Sequence, residues 1–305
     1  MTCTTAGCAH CGEAFRRPAI GKPGRTPRVL SIAGTDPSGG AGIHADLKAI
    51  AACGGYGMAV VSALTAQNTR GVRAVHVPSL GFLRDQLNAI SDDITVDAVK
   101  TGMLFDSDII ATVGRWLTAH RPDIIVVDPV MVATSGDRLL RADAEQAMRD
   151  LIAQVDLVTP NVPELAVLLN TEPARTWDEL EDQARALAAD ADVLVLAKGG
   201  HLDDDTVRDA LIGPDGMCCD VTAPRSHATT THGTGCSLSA AIATLRARYG
   251  EWEPALADAR AWLTTAIEHG PQLQVGGGHG PVSHFAQLWD EAQETRDRHA
   301  RRSKK

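Results

Sequence analysis

Along the chain, short apolar runs rich in β-branched residues alternate with longer stretches whose apolar positions return every three to four residues. The first run, Arg28–Ala33, passes through a glycine-rich turn into a helical pattern over Ala41–Ala52. Further strands are predicted at Met58–Ala63, Ala98–Thr101, Ile124–Val127, Leu157–Thr159 and Val193–Ala197. Helices are predicted at Gly81–Ile90, Asp108–Ala119, Val162–Leu169 and Thr176–Ala189, and two longer ones, Cys236–Arg248 and Pro254–His269, close the pattern. Helices separating successive strands imply crossover connections and parallel pairing. The expected fold is therefore α/β, a three-layer α/β/α sandwich around a mostly parallel sheet, in one domain spanning residues 28–289.

Composition fits that architecture. Hydrophobic residues make up 44% of the chain and aromatics only 4%, so Ala, Val, Leu and Ile must fill the core, as in strands covered by helices on both faces. No apolar run approaches the roughly 20 residues needed to cross a bilayer, and the first thirty residues hold no apolar stretch of signal-peptide length, so no membrane partner and a cytoplasmic location are expected. A formal net charge of -9 argues against a nucleic-acid surface and leaves small molecules as the expected partners. The seven cysteines are odd in number and lack the spacing of a disulfide framework, so reduced thiols are expected. Residues 1–27, rich in Cys, Gly, Pro and Arg, read as a disordered extension, and residues 290–305 as a charged tail. Cys8-Ala9-His10-Cys11 has the spacing of half a zinc knuckle, which Cys3 or His10 could extend. No second ligand pair follows it, so zinc is not expected at Cys8/Cys11.

In open α/β sheets ligands bind beyond the carboxyl ends of the strands, and that is where the polar and glycine-rich segments of this chain fall. Gly34-Thr35-Asp36-Pro37-Ser38-Gly39-Gly40-Ala41-Gly42 follows the first strand, without the Lys-Ser/Thr ending of a Walker loop or the spacing of a dinucleotide fingerprint. It reads either as a plain turn or as a place where backbone approaches a ligand closely. Asp46 on the next helix either faces solvent or points back across the strand ends. Gln67, in Gln67-Asn68-Thr69 after the next strand, can donate and accept at once, which suits a heteroaromatic ring carrying an amino group, and the segment reads equally as a turn. Asp128 ends an apolar strand, where a carboxylate has little structural reason to be unless it meets a metal or a donor. Asn161 and Glu164 have the spacing of a capping box and equally that of a magnesium-linked pair. Lys198 arrives with Gly199 and Gly200 at another strand end, as a phosphate contact or a surface turn.

The most informative segment is Thr229–Ser237, a polar loop that runs through Gly233-Thr234-Gly235-Cys236 into an apolar helix. Unpaired N–H groups and the positive end of the helix dipole make that start an anion site. The same field should favour a thiolate at Cys236 and depress its pKa.

Taken together, Ser31–Ile43, Ala66–Val72, Lys100–Leu104, Asp128–Met131, Lys198–His201 and His232–Cys236 give the chain a pattern that resembles the hydroxymethylpyrimidine/phosphomethylpyrimidine kinases of thiamine biosynthesis, which are ribokinase-like. The resemblance covers about Arg28 to Trp289 in the expected order. It implies two successive transfers of the ATP γ-phosphoryl group, first to the hydroxymethyl of 4-amino-5-hydroxymethyl-2-methylpyrimidine and then to the monophosphate. It also implies a homodimer. By resemblance, Gly34, Asp46 and Gln67 contact the pyrimidine, with Met103 and Val130 lining the apolar part of its pocket. Asp128 and Glu164 belong to a Mg²⁺ and water network, Asn161 and Lys198 attend the nucleotide phosphates, and Gly233–Cys236 forms the anion hole. Many sugar kinases of the superfamily have an aspartate base at the end of that turn. Here the position is Cys236, for which the resemblance suggests acceptance of the hydroxymethyl proton, with positioning as the minimum role.

Two departures stand out. His44 lies where many relatives carry glutamine, and residues 1–27 have no counterpart in the family core. A pyridoxal or pyridoxine kinase of the same fold is the nearest alternative, and a non-catalytic pyrimidine or nucleotide sensor is one of another class.

Overall fold

Val29, Leu30, Ile32 and Ala33 of strand β1 (Arg28–Ala33) are fully buried on both faces, as an interior strand of a parallel sheet requires. The structure, a computed structural model, describes residues 25–133, 136–290 and 292–293; the Cys8/Cys11 segment and the tail beyond residue 293 lie outside the described residues. The remaining strands are β2 (Tyr56–Val61), β3 (Leu64–Asn68), β4 (Gly71–His76), β5 (Ala98–Thr101), β6 (Ile125–Val127), β7 (Leu157–Val158), β8 (Leu194–Lys198), β9 (Thr206–Gly213) and β10 (Gly216–Pro224). Eight of them form one sheet in the order β10-β9-β8-β7-β6-β5-β1-β2, parallel from β2 to β8 and antiparallel at β8–β9 and β9–β10. From β1 the chain first adds β2 on one side and later β5 on the other, so strand order reverses at β1 and β5. A crevice opens at such a reversal.

The helices are α1 (Gly42–Ala52), α2 (Leu80–Ser91), α3 (Ser107–His120), α4 (Glu145–Ile152), α5 (Val162–Leu169), α6 (Trp177–Ala191), α7 (Thr234–Tyr249) and α8 (Trp252–Glu268). Side chains alternate across the sheet, so Leu30, Ile32, Val99, Val127, Val158 and Val195 join α2 to α6 in one core. Val29, Val126, Leu157, Leu194 and Leu196 join α1, α7 and α8 in the other. The result is the expected three-layer sandwich with a mostly parallel sheet. Helix α7 is almost entirely buried from Ser237 to Ala247. Its mostly small residues permit that depth, and its hydroxyls return bonds to their own helix, Ser239 to Gly235 O at 2.9 Å and Thr244 to Ala240 O at 2.8 Å.

Most predicted boundaries are met within one or two residues, the usual play of a helix or strand end. Five elements are additional to the predicted pattern: α4, the antiparallel edge strands β9 and β10, and the strands β3 and β4 of a separate hairpin. Gln67 therefore lies within a strand of that hairpin rather than in a turn. No described helix is long and apolar enough to cross a membrane.

Candidate active site

The loop after β1 is organised by one carboxylate. Asp36 Oδ1 accepts from the Ser38 amide at 2.9 Å and hydroxyl at 2.7 Å, and Oδ2 from the amides of Gly40 at 3.1 Å and Ala41 at 2.8 Å. Oδ2 also meets His232 Nε2 at 2.8 Å, which ties this loop to the one that opens α7. Burial acts to raise the Asp36 carboxyl, but the hydrogen bonds from His232 and Ser38 override it and hold the group at about 2. Contact between the two loops explains a glycine: Gly233 sits at φ 78°, and a Cβ there would collide with the carbonyl oxygen of Gly40.

Gly233 is the N-cap of α7, so the amides of Gly235 and Cys236 stand in a first turn where the helix offers them no carbonyl. Gly235 faces the charged part of the site: a Cβ on it would lie 3.6 Å from Asp128 Oδ2 and 3.7 Å from Lys198 Nζ. Asp128 stands just past β6 and is nearly fully buried. Its Oδ1 accepts from Thr159 at 3.1 Å and lies 3.5 Å from Lys198 Nζ, and Ser239 approaches Oδ2 at 3.4 Å. Burial acts to lower Lys198, but Asp128, Glu164 and Asp209 outweigh it and raise its pKa, so it is a permanent cation.

Asn161 and Glu164 form a complete capping box at the start of α5, each accepting the other's backbone N–H at 2.9 Å. Glu164 Oε1 also accepts from Met131 N at 3.2 Å. That bond helps hold Val130 at φ 42°, a conformation a β-branched residue takes only when its surroundings impose it. Burial raises the Glu164 carboxyl and Asp128 adds to the rise, against the pull of Lys198.

These groups share one cavity of about 620 Å³. Its wall includes Gly34, Gln67, Met103, Asp128, Val130, Asn161, Glu164, Lys198, Gly233, Thr234, Gly235 and Cys236. Asp46 is the exception among the predicted residues. Its carboxylate, fully buried behind the wall, accepts from Lys100 Nζ at 2.8 and 2.9 Å and from Ser31 Oγ at 2.6 Å. Ser31 and Lys100 are register partners on β1 and β5, so both aim at this face of α1 and engage Asp46 beneath the pocket floor. The expectation for Cys236 also needs correction. Burial pushes its thiol up to about 12, and Asp46 and Asp128 add to the rise, against the Lys100 ammonium and the Gly42 amide.

Several wall residues went unmarked in the sequence. Arg225 donates to the carbonyls of Asp204 and Gly200 at 2.6 and 2.9 Å and so fixes the loop after β8. Asp209, paired with Arg260 at 3.4 Å, accepts from Gly199 N at 3.2 Å and steadies the same loop. Val207, Leu263 and Ile267 give that side of the cavity an apolar surface. Asp36 and His232 also line it; their positions in glycine-bearing strand-end loops were the available signal.

A family model described as phosphomethylpyrimidine kinase matches residues 36–283. The hydroxymethylpyrimidine/phosphomethylpyrimidine kinase of Escherichia coli is 47% identical over 262 residues, covering 86% of this chain and 98% of that protein. The thiamine biosynthesis multifunctional protein ThiED of Corynebacterium glutamicum is 54% identical over 258 residues, 85% of this chain, but the match spans only 34% of that longer protein. Among solved structures, a phosphomethylpyrimidine kinase from Clostridium difficile gives a TM-score of 0.69 at 35% identity, covering 79% of this chain and all (100%) of its own. An ADP complex of Bacillus subtilis pyridoxal kinase gives a TM-score of 0.78 at 30% identity, covering 87% of this chain and 99% of its own. With the match running through both glycine loops and the charged cluster between them, the chain belongs to the phosphomethylpyrimidine kinase family.

Proposed function

We propose that this protein phosphorylates 4-amino-5-hydroxymethyl-2-methylpyrimidine with ATP, first to the monophosphate and then to the diphosphate. The observation that carries the reading is the meeting, in one cavity, of the α7 amides, Lys198 and Asp128 with the ring-sized wall formed by Gly34, Gln67, Met103 and Val130. In the first transfer the hydroxymethyl oxygen bonds to the γ-phosphorus as the bond from that phosphorus to the ADP oxygen breaks, and the hydroxyl proton is released. Phosphoryl transfer needs positioning and charge stabilisation above all. The amides of Gly235 and Cys236 supply fixed N–H dipoles, Lys198 a permanent positive charge, and Arg225 with the apolar Val207, Leu263 and Ile267 the wall for the nucleotide. Gln67 contacts the pyrimidine ring, and Met103 and Val130 cover its apolar face.

Mg²⁺ fits the donor set in one manner only. Among the described residues no group of three or more His, Cys, Asp or Glu side chains could enclose a metal ion. Asp128 and Glu164 already accept protein N–H and O–H donors, so they suit an ion held chiefly by phosphate oxygens and water, with these carboxylates accepting from its waters. Bound there, Mg²⁺ supplies neutralisation of the phosphate charge.

The test is mass analysis of the products from hydroxymethylpyrimidine and Mg-ATP, with pyridoxal assayed in parallel. Monophosphate followed by diphosphate is expected. The structural likeness to pyridoxal kinase makes pyridoxal the informative competitor, and a higher kcat/KM on it would overturn the substrate assignment. Binding of the pyrimidine without ATP turnover would identify a sensor instead.

A further inference from the structure

Hairpin β3–β4 stands apart from the main sheet, and a two-stranded hairpin is marginally stable by itself, so its place depends on what anchors it. Near its base, Thr65 is bonded twice to Thr35: its amide donates to the Thr35 hydroxyl at 3.0 Å, and its own hydroxyl to the Thr35 carbonyl at 2.7 Å. The tip of the hairpin is Thr69-Arg70, and there Thr69 is buried. Gln67 lies between these two points.

What buries Thr69 is a glycine strap, residues 276–281, that reaches the tip from beyond α8. Thr69 Oγ1 accepts from Gly278 N at 3.2 Å, and the Thr69 carbonyl from His279 N at 2.9 Å. The approach leaves no room for side chains: a Cβ on Gly276 would strike the Thr69 side chain, and one on Gly278 would strike the Thr69 carbonyl. On Gly277, by contrast, a Cβ would meet the end of the exposed Arg70 side chain, at 3.0 Å, which can move aside. The strap then runs on to the loop that opens α7. There Gly280 O accepts from His232 N at 3.1 Å, and Pro281 pairs with His232 in a short parallel bridge. His232 immediately precedes Gly233, the N-cap of α7, so the strap links the hairpin tip to the phosphate cradle.

We propose that Thr69 is a positioning residue for the pyrimidine: its clasp on the strap holds the hairpin tip and so fixes Gln67 relative to the phosphate cradle. A tip released from the strap loosens Gln67 and weakens ring binding. Lys198, Arg225 and Leu263 stand on other elements, so the nucleotide side of the cavity is spared. The inference rests on the reading of Gln67 as a ring contact.

The test measures KM for hydroxymethylpyrimidine, KM for ATP and kcat in the full-length wild type and its variants. A loss of folded protein lowers kcat but leaves KM, so KM is the readout. Thr69→Val keeps the shape of the side chain but cannot accept from Gly278. It should raise KM for the pyrimidine about 5- to 20-fold and change KM for ATP by less than about twofold. Thr69→Ser, which keeps the acceptor, should stay within about threefold of wild type. Gly278→Ala should raise the pyrimidine KM at least as far as Thr69→Val does, and Gly277→Ala by less than about twofold. Because Thr69 acts through Gln67, adding Thr69→Val to Gln67→Ala should raise that KM by less than about twofold beyond Gln67→Ala alone. An unchanged pyrimidine KM in Thr69→Val overturns the proposal, as does an equal rise in KM for ATP. A full rise on the Gln67→Ala background overturns the route through Gln67. Equal effects of Gly277→Ala and Gly278→Ala overturn the clasp. A wild-type pyrimidine KM in Gln67→Ala removes the contact reading itself.

Discussion

Two influences compete at the Cys236 sulfur. The helix start, Lys100 and the Gly42 amide favour thiolate, whereas burial, Asp46 and Asp128 favour the thiol and raise its pKa to about 12. At pH 8 that leaves about one thiolate in ten thousand. A base so scarce would make first-step kcat climb about tenfold per pH unit, with no plateau below pH 11. The reading we favour is a protonated thiol that holds the acceptor oxygen in place. Cys236→Ser should then stay within about tenfold of wild type in first-step kcat/KM, and Cys236→Ala should lose about 10- to 100-fold, the range for one positioning contact. First-step kcat should be flat between pH 7 and pH 9. A unit slope in that range that vanishes in Cys236→Ala would restore the base. The second step, whose acceptor is already an anionic phosphate, should respond less to either substitution.

Helix α5 shows how an element can serve structure and chemistry with the same side chain. Glu164 closes the capping box of Asn161 and also places a titratable carboxyl beside Asp128 and Lys198. Glutamine satisfies a capping box as well as glutamate does, but carries no charge. Glu164→Gln should therefore change unfolding stability by less than about 1 kcal/mol, whereas Asn161→Ala, which removes the cap, should cost about 1 kcal/mol. If Glu164 serves the metal-water network, Glu164→Gln should also lower kcat by at least about tenfold and raise the Mg²⁺ concentration needed for half-maximal rate. A glutamine variant with normal kinetics would leave Glu164 only its cap. Elements of this kind were legible because their signals are local: the Asn161–Glu164 spacing, the glycines at strand ends and the apolar periodicity all lie within a few residues. Hairpin β3–β4 was hidden because Leu64 to His76 has hardly any buried face to imprint an alternation, only Thr69 among its residues being buried. The Asp36–His232 pair was hidden for a different reason, since its partners meet only when both glycine loops fold onto the same end of the sheet. Asp46 was misplaced because helical spacing does not reveal that a lysine from β5 will reach it beneath the floor.

On the scale of the whole molecule, the site exists because α7 is driven deep between the sheet and α8 while its first turn stays at the cavity, and His284 helps anchor that end. Its Nε2 lies 2.9 Å from Ser237 Oγ, and its carbonyl accepts from Trp262 Nε1 at 3.2 Å. Burial, with a contribution from the Lys48 charge, pushes the imidazole down to about 3, against a hydrogen bond to Val282. In the unfolded chain the ring titrates near its ordinary value of about 6.5. Between pH 6.5 and about 3 the unfolded state therefore binds this proton and the folded state does not, so His284 removes up to about 1.4 kcal/mol of stability per pH unit on acidification. Its effect on the slope halves near pH 6.5 and fades above about pH 7.5. His201, also lowered by burial, acts in the same direction. Asp46, Glu164 and Asp209, raised chiefly by burial, act oppositely, because their folded forms take up protons first. Asp36, held at about 2, loses its contribution only as pH falls below about 4, so it leaves the interval from pH 6.5 to 4.5 almost untouched. The measured slope of the wild type is thus a sum of opposed terms, and the informative quantity is its difference from His284→Gln, which keeps a hydrogen-bonding group for Ser237 but cannot titrate. In urea unfolding the variant should gain on the wild type as pH falls from 6.5 to 4.5, by about 2 kcal/mol or somewhat more over the interval, and run parallel to it from pH 7 to 8. Parallel curves throughout would show that His284 takes up its proton without leaving the fold, and so is not held neutral beneath α7.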